Sequence, residues 1–238
     1  MATIKQNGMT MSKRKLQHLC TQSSQAGFTI IESLIAIIIA AILLAAIAPV
    51  IVLSTGNRVQ ARRVELASQA AKAYIDGVSA SSITEPPSTD KTINNYDTPK
   101  GGTLICKPNA YCSSPSTDLY CIDGDGDGIC TNTSTKDLVI QAFRYNPSST
   151  EARRGYNLGL RVYRADAFQD SESLKSNYLA EKDKTGSKAT QASFGVRLGV
   201  NARKAPLVEM TTEISTQETT FKDFCSRLQN SNNDKSGC

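Results

Sequence analysis

A block of twenty uncharged residues, Leu34 to Leu53, constrains the fold of this chain more than any other feature of its sequence. At about 1.5 Å of rise per residue, an α-helix of that length spans roughly 30 Å, the thickness of the hydrocarbon core of a bilayer. Buried helices of soluble proteins rarely run so far without a polar side chain. The block therefore predicts a membrane-spanning helix.

Charge is concentrated in front of this block. Residues 1–27 contain Lys5, Lys13, Arg14 and Lys15 and no acid. Basic residues flank a membrane helix on its cytoplasmic side, so the N-terminus is expected in the cytoplasm and the residues after Leu53 on the exported side. The rest of the chain has 23 basic and 22 acidic residues, which argues against a nucleic-acid partner.

An acid stands at the mouth of the apolar helix. Residues 25–34 read QAGFTIIESL, and Glu32 is the acid. A carboxylate at the centre of a membrane helix costs on the order of 2.5–3.5 kcal/mol, and less near the interface, so a partner for it is expected. A cut between Gly27 and Phe28 would create an α-amino group on Phe28, which could neutralise Glu32 of a neighbouring copy.

This stretch resembles the type IV pilin and pseudopilin superfamily. The resemblance implies that a prepilin peptidase cuts after Gly27 and methylates the amino group of Phe28. It also implies that Glu32 registers the subunit in a filament of other pilins or pseudopilins, built on an inner-membrane assembly platform. Pro49 falls where the family has a helix-kinking proline. The filament would lie in the periplasm or at the cell surface.

Further segments resemble one branch of the superfamily. They are RVQARRVELASQAAKAYIDGV over residues 58–78, CIDGDGDGIC over residues 121–130, and a late cysteine pair. They are most similar to pseudopilins of cyanobacterial hormogonium polysaccharide secretion. That likeness implies a minor pseudopilin supporting polysaccharide export and gliding motility, with the exported polysaccharide as a further candidate partner.

Alternatives remain at two levels. A secretory signal peptide would use the small residues Ala46 and Ala48, but Pro49 follows them and normally blocks cutting. A lipoprotein at Cys20 and a simple uncleaved anchor explain the sequence less well, and the anchor leaves Glu32 without a purpose. For function, the alternatives are a minor type IV pilin of an adhesion, twitching or DNA-uptake pilus, and a membrane-anchored calcium-binding protein outside any filament.

The pattern predicts an α+β protein with four parts: a cleaved leader (1–27), the membrane and assembly helix (28–53), an amphipathic continuation of that helix (54–84) and an exported head (85–238). In the continuation, polar and apolar residues fall on opposite arcs, with Arg63 as the one exception. The arginines of this region either contact lipid headgroups or form a solvated face.

The head is predicted to be a small antiparallel sheet with one buried face and disulfide-bonded loops. Residues 85–118 look like a long, loop-dominated connection, and residues 165–192 like a polar loop with a helical turn. Apolar or alternating residues predict the strands. The four runs are Leu138–Tyr145, Tyr156–Val162, Phe194–Val200 and Leu207–Ile214.

The loop CIDGDGDGIC predicts a cation site. Asp123, Asp125 and Asp127 match the first half of an EF-hand loop, and the carbonyl of Ile129 is the next natural Ca²⁺ ligand. The bidentate glutamate expected at position 12 is Ser134, so the loop is not an EF-hand. Asp118 and Asp137 are possible additional ligands. A flexible acidic turn without a cation is the alternative.

Six cysteines fall on the exported side and suggest disulfides. They are Cys106, Cys112, Cys121, Cys130, Cys225 and Cys238. Fifteen pairings are possible for six cysteines; the local ones join the first to the second, the third to the fourth and the fifth to the sixth. No CxxC pair exists and the one histidine, His18, precedes the apolar block, which disfavours zinc. Without an exported histidine, phosphate loop or HExxH motif, no enzyme is expected.

Overall fold

The computed structural model describes residues 29–176 and 203–232. Two helices and seven strands fall within them. They are α1 (Ile30–Ser79), β1 (Ser88–Thr89), β2 (Ile105–Cys106), β3 (Ala110–Ser114), β4 (Leu119–Ile122), β5 (Leu138–Tyr145), β6 (Tyr156–Arg164), β7 (Val208–Ile214) and α2 (Phe221–Asn232). Short 3₁₀ turns cover Ala152–Arg154 and Ala165–Phe168. The predicted α+β class, with a long first helix and an antiparallel sheet, is confirmed.

The chain divides into two compact units, Met1–Pro49 and Val50–Cys238. In the first unit the described residues form the start of helix α1, and their apolar side chains are exposed. Pro49 lies inside the helix rather than at its end. Among the described residues, α1 is the one helix long and apolar enough to cross a membrane.

Helix α1 ends at Ser79, five residues before the predicted boundary at residue 84. The carbonyl of Gly77 accepts the N–H groups of Ser82 and Ile83, and this closes the last turn. Ile83 then packs against Gly77, where even one added carbon would lie 2.5 Å from its Cδ1 atom. This local cap, and not Pro86 or Pro87 later in the chain, ends the helix.

The sheet of the second unit is an antiparallel meander. Its strands lie in the order β2-β3-β4-β5-β6-β7, and β1 pairs in parallel with the end of β5. Strands β5 and β6 form the centre, in register from Leu138 opposite Arg164 to Tyr145 opposite Asn157. Along this path each strand pairs with the next in sequence, and the connections after β4 and β6 are long, spanning residues 123–137 and 165–207.

Both faces of the sheet centre are buried, whereas one buried face was predicted. One face packs on α1 through a cluster that includes Ala67, Ala71 and Tyr74 of the helix. The opposite face carries a second cluster. Its members include Leu104, Leu119, Val139, Tyr163, Phe168, Leu174 and three cysteines, and Cys106 packs against it. The segments expected to be loops therefore supply the second layer of the core.

Three of the strand predictions are tested by the described residues, and all three are confirmed. β5 has the predicted bounds, β6 extends two residues beyond Val162, and β7 begins one residue after Leu207. The remaining predicted strand, Phe194–Val200, lies outside the described residues. The sequence did not predict β3, β4 or α2, and the expectation of a loop-dominated 85–118 segment is wrong where β3 runs.

Candidate functional site

The first turn of α1 contains the predicted assembly residue. The helix begins at Ile30, and the N–H of Glu32 donates to the hydroxyl of Thr29 at 3.2 Å and to its carbonyl at 3.0 Å. Thr29 thus caps the helix start. Glu32 is exposed among apolar neighbours. The predicted processing pair, Gly27 and Phe28, lies outside the described residues.

The second half of α1 is fastened to the head by tyrosines. The hydroxyls of Tyr74 and Tyr111 lie 2.5 Å apart, and Tyr111 donates to the carbonyl of Thr84 at 3.0 Å. Burial is the main reason that the pKa of Tyr111 is raised to about 12, and burial also raises the pKa of Tyr74. These hydroxyls therefore stay protonated and act as a hydrogen-bonded link between helix and sheet.

The exception in the helix pattern has a structural reason. Arg63 is half-buried, and it faces Arg164 and Asp166 at the end of β6. Burial lowers its pKa, Arg164 lowers it further, and Asp166 raises it. Arg62, by contrast, pairs on the exposed side with Glu65 at 3.1 Å. The arginines expected to act as one basic face are thus divided between head and solvent.

Asp123 is the hub of the acidic loop. Its carboxylate accepts the N–H groups of Gly126 at 2.7 Å, Gly128 at 2.9 Å and Asp125 at 3.3 Å. These hydrogen bonds, that of Gly128 above all, hold the pKa of Asp123 below its usual range. The glycines permit this turn because Gly126 and Gly128 have φ of 75° and 79°.

Asp137 lies outside the loop in sequence, and its buried carboxylate binds the backbone at both ends of the loop. It is only 1% exposed, and its carboxylate accepts the N–H of Gly124 at 3.1 Å and of Thr131 at 3.4 Å. Burial raises its pKa. Oxygens of Asp123, Asp125 and Asp137 lie within 4.8 Å of one another, so these three carboxylates could hold a cation.

The other predicted ligands are used differently. Asp127 is not part of this group; its carboxylate accepts the N–H of Ile129 at 2.8 Å. Asp118 belongs to a separate buried network, where it accepts from Tyr96 at 3.0 Å and from Gln141 at 2.9 Å. Of the two additional candidates, the structure brings Asp137 to the loop and keeps Asp118 away from it.

Two disulfides flank the loop. Cys121 is bonded to Cys130, and Cys106 to Cys112. Cys106 and Cys130 are also direct neighbours in an antiparallel bridge, so the two disulfides stand side by side. Both local pairings proposed for these four cysteines are present. Cys225 is disulfide-bonded as well, to a cysteine outside the described residues.

No local pattern in the sequence predicts the buried polar network on the outer face of the sheet. Arg161 was expected to point to solvent but is fully buried. Its guanidinium donates to Glu209 at 2.6 Å, to Gln141 at 3.1 Å and to the carbonyl of Ile93 at 2.8 Å. The network holds the segment 93–97 against the sheet. An arginine at an alternating strand position looks the same in sequence whether it is solvated or paired.

Comparison with known proteins gives one match. Residues 22–48 match the family described as the prokaryotic N-terminal methylation motif. Neither the curated proteins nor the solved structures contain a significant match. The motif implies processing by a prepilin peptidase and assembly with other pilins. Its position at the start of an apolar helix, followed by a disulfide-containing antiparallel sheet, supports a type IV pilin-like protein whose N-terminal helix is consistent with a membrane anchor.

Proposed function

We propose that the protein is a minor pseudopilin, a structural subunit of a filament of the type IV pilus or type II secretion kind. The observation that carries the proposal is the combination found in α1. The methylation motif leads into a helix of 50 residues, and Glu32 lies in its first turn. Apart from that turn, which also contains Ser33, the first twenty or so residues of the helix expose only apolar side chains. A surface of this kind needs lipid or other helices around it.

Polysaccharide export and gliding are the activities we propose for this filament. Support comes from the resemblance of residues 58–78 and 121–130 to pseudopilins of polysaccharide secretion. The large head, whose described residues form a seven-stranded sheet, suits a minor subunit. A minor pilin of an adhesion, twitching or DNA-uptake pilus is the second candidate, favoured by the same motif.

The proposed role is structural and not catalytic. The protein is a substrate of the peptidase, which would cut the bond between Gly27 and Phe28. Intact mass of the membrane-extracted protein tests this step directly. A chain beginning at methylated Phe28 supports the proposal, and a chain beginning at Met1 would favour an uncleaved anchor.

Glu32→Ala tests assembly separately from processing. We expect the variant to be cut and methylated but absent from sheared filaments, with polysaccharide secretion lost. The matched control is Glu65→Ala, because Glu65 is an exposed acid of the same helix that pairs with Arg62. Normal secretion, twitching and DNA uptake together in a Glu32→Ala strain would refute the filament role. Loss of twitching or DNA uptake, with secretion intact, would favour the second candidate.

A structural Ca²⁺ site in the acidic loop is a further proposal. Asp123, Asp125 and Asp137 supply the carboxylates, and affinity on the order of 0.1–1 mM is expected for an extracellular module. We expect millimolar Ca²⁺ to raise the thermal midpoint of the protein, and Asp137→Asn to abolish that rise. Asp118→Asn, whose carboxylate is used elsewhere, should retain it. No response of the unaltered protein would contradict the site.

A further inference from the structure

The chain contains four Asp–Gly dipeptides, and they differ sharply in their surroundings. One, Asp76–Gly77, lies in helix α1, and three follow one another in residues 123–128. Among aspartyl residues, those followed by glycine are the most prone to succinimide formation, because glycine leaves the backbone nitrogen unhindered. The reaction needs that nitrogen to approach the preceding Cγ atom to roughly 3–3.5 Å. Local structure therefore decides which of the four can react.

Two of the dipeptides are held out of reaction. In Asp76–Gly77, helical hydrogen bonds direct each N–H toward the preceding turn, and Gly77 packs on Ile83. In Asp123–Gly124, the carboxylate accepts several N–H groups while the glycine N–H donates to Asp137. A carbon added at Gly124 would lie 2.1 Å from the carbonyl oxygen of Lys136, so this backbone has no room to rotate.

The other two dipeptides are open. No atom lies within 4 Å of the position where Gly126 or Gly128 would carry a side chain. Their N–H groups are restrained by one carboxylate, that of Asp123. Asp125 is further restrained by an ion pair with Lys136 at 4.0 Å. The carboxylate of Asp127 is exposed and has one hydrogen bond, from the N–H two residues ahead.

We propose that Asp127–Gly128 is a site of spontaneous isoaspartate formation in the folded protein, with Asp125–Gly126 second, and that Asp123 sets the rate at both. The Gly128 nitrogen bonds to the Asp127 Cγ atom and loses its proton, and a carboxyl oxygen leaves as water. Hydrolysis then adds one water to either carbonyl of the ring. Cleavage at the backbone carbonyl yields isoaspartate, so the net change is an isomerisation that consumes nothing.

The product changes the loop in two ways. One methylene enters the backbone inside the ring closed by Cys121 and Cys130, and the carboxylate of residue 127 is left on a shorter side arm. The N–H groups of Gly126 and Gly128 then no longer fit both oxygens of Asp123. The fraction of copies with isoaspartate in the loop would thus rise with the time since their export.

The test uses the full processed chain in detergent, incubated at neutral pH and 37 °C over several weeks. Trypsin separates the helical dipeptide, on residues 73–91, from the loop, on residues 101–136, and electron-transfer fragmentation locates isoaspartate within each. We expect isoaspartate at Asp127 above that at Asp125, and none above background at Asp123 or Asp76. Equal amounts at Asp76 and Asp127, or none in the loop, would overturn the proposal.

Two variants test the role of the restraining carboxylates. Asp123→Ala should raise the rate at Asp125 and Asp127 by about tenfold, because it removes hydrogen bonds to a charged acceptor from both nitrogens. Asp137→Ala is the matched control, since it removes a carboxylate that bonds to the nitrogen of Gly124 and should leave the rates at Asp125 and Asp127 unchanged. An unchanged loop in Asp123→Ala would refute the assigned role. If that variant does not fold, the ranking in the unaltered chain still decides the site.

Discussion

Neutralising Glu209 should strongly destabilise the head. Glu209 and Arg161 form an ion pair at 2.6 Å, with side chains 1% and 0% exposed. Glu209→Gln keeps the shape and an acceptor oxygen but leaves the guanidinium as an uncompensated buried charge. Breaking such pairs typically costs 3–5 kcal/mol.

We expect a loss near the lower end of that range, about 3 kcal/mol. Arg161 keeps three other acceptors, which are Gln141 and the carbonyls of Ile93 and Asp97. The amide of the variant can still accept one N–H. The remaining cost is therefore mostly the lost charge compensation in a region that excludes water.

Urea unfolding of the full chain in detergent, followed by near-ultraviolet circular dichroism of its tyrosines, measures the change. Glu65→Gln is the control, because its exposed pair with Arg62 should contribute at most ~0.5 kcal/mol. The double variant Arg161→Met with Glu209→Leu should lose less stability than the two single variants together, by about 0.5–3 kcal/mol. A loss below about 1 kcal/mol in Glu209→Gln, or strict additivity, would refute the reasoning.

Three further changes have calculable outcomes. Replacing Cys121 and Cys130 by serine opens a link across nine positions and should lower the free energy of unfolding by about 2–3 kcal/mol, measured by urea titration against the unaltered chain. Gly159→Ala places a carbon 2.3 Å from the ring of Phe143 and should cost about 1–3 kcal/mol in thermal unfolding, recovered in part by adding Phe143→Leu. The pKa of Asp170 is lowered chiefly by its hydrogen bond to the buried Lys204. The ionised carboxylate therefore stabilises the fold above its unfolded pKa of about 4, and this stabilisation is lost as the pH falls through the folded pKa. The urea midpoint of the unaltered chain should therefore fall more steeply in acid than that of Asp170→Asn, and parallel curves would contradict the assignment.

Strands β5 and β6 were predictable because their burial follows the sequence pattern. Leu138, Ile140 and Ala142 alternate onto the face that meets α1, and the same period appears in the letters of the sequence. The loop carboxylates were predictable too, since their spacing is local. The recruitment of Asp137 over Asp118 and the exclusion of Asp127 needed the fold, because the order of acids along the chain does not say which carboxylates meet.

Other features depend on contacts that a local pattern does not contain. Strands β3 and β4 are short, and each contains one cysteine that is disulfide-bonded to a cysteine outside that strand. These cysteines mask any alternation of polar and apolar residues. Arg161 reads as a solvent-facing residue, but the segment 93–97 covers it and supplies two carbonyl acceptors. Distant segments that meet face to face leave no periodic trace in sequence.

Four backbone carbonyl groups help to hold the segment between α1 and β2 on the head, together with the side chains of Tyr96 and Leu104. Side chains of the sheet donate to the backbone oxygens of Thr84, Pro86, Ile93 and Asp97. The donors are Tyr111, Arg144, Arg161 and Gln141. Since every residue type offers the same carbonyl, the exposed positions of this stretch can change their side chains, and with them the antigenic and adhesive character of the surface, while these four contacts keep its path across the head. The backbone carbonyls thus attach this segment to the head, while its exposed side chains are free to vary in evolution.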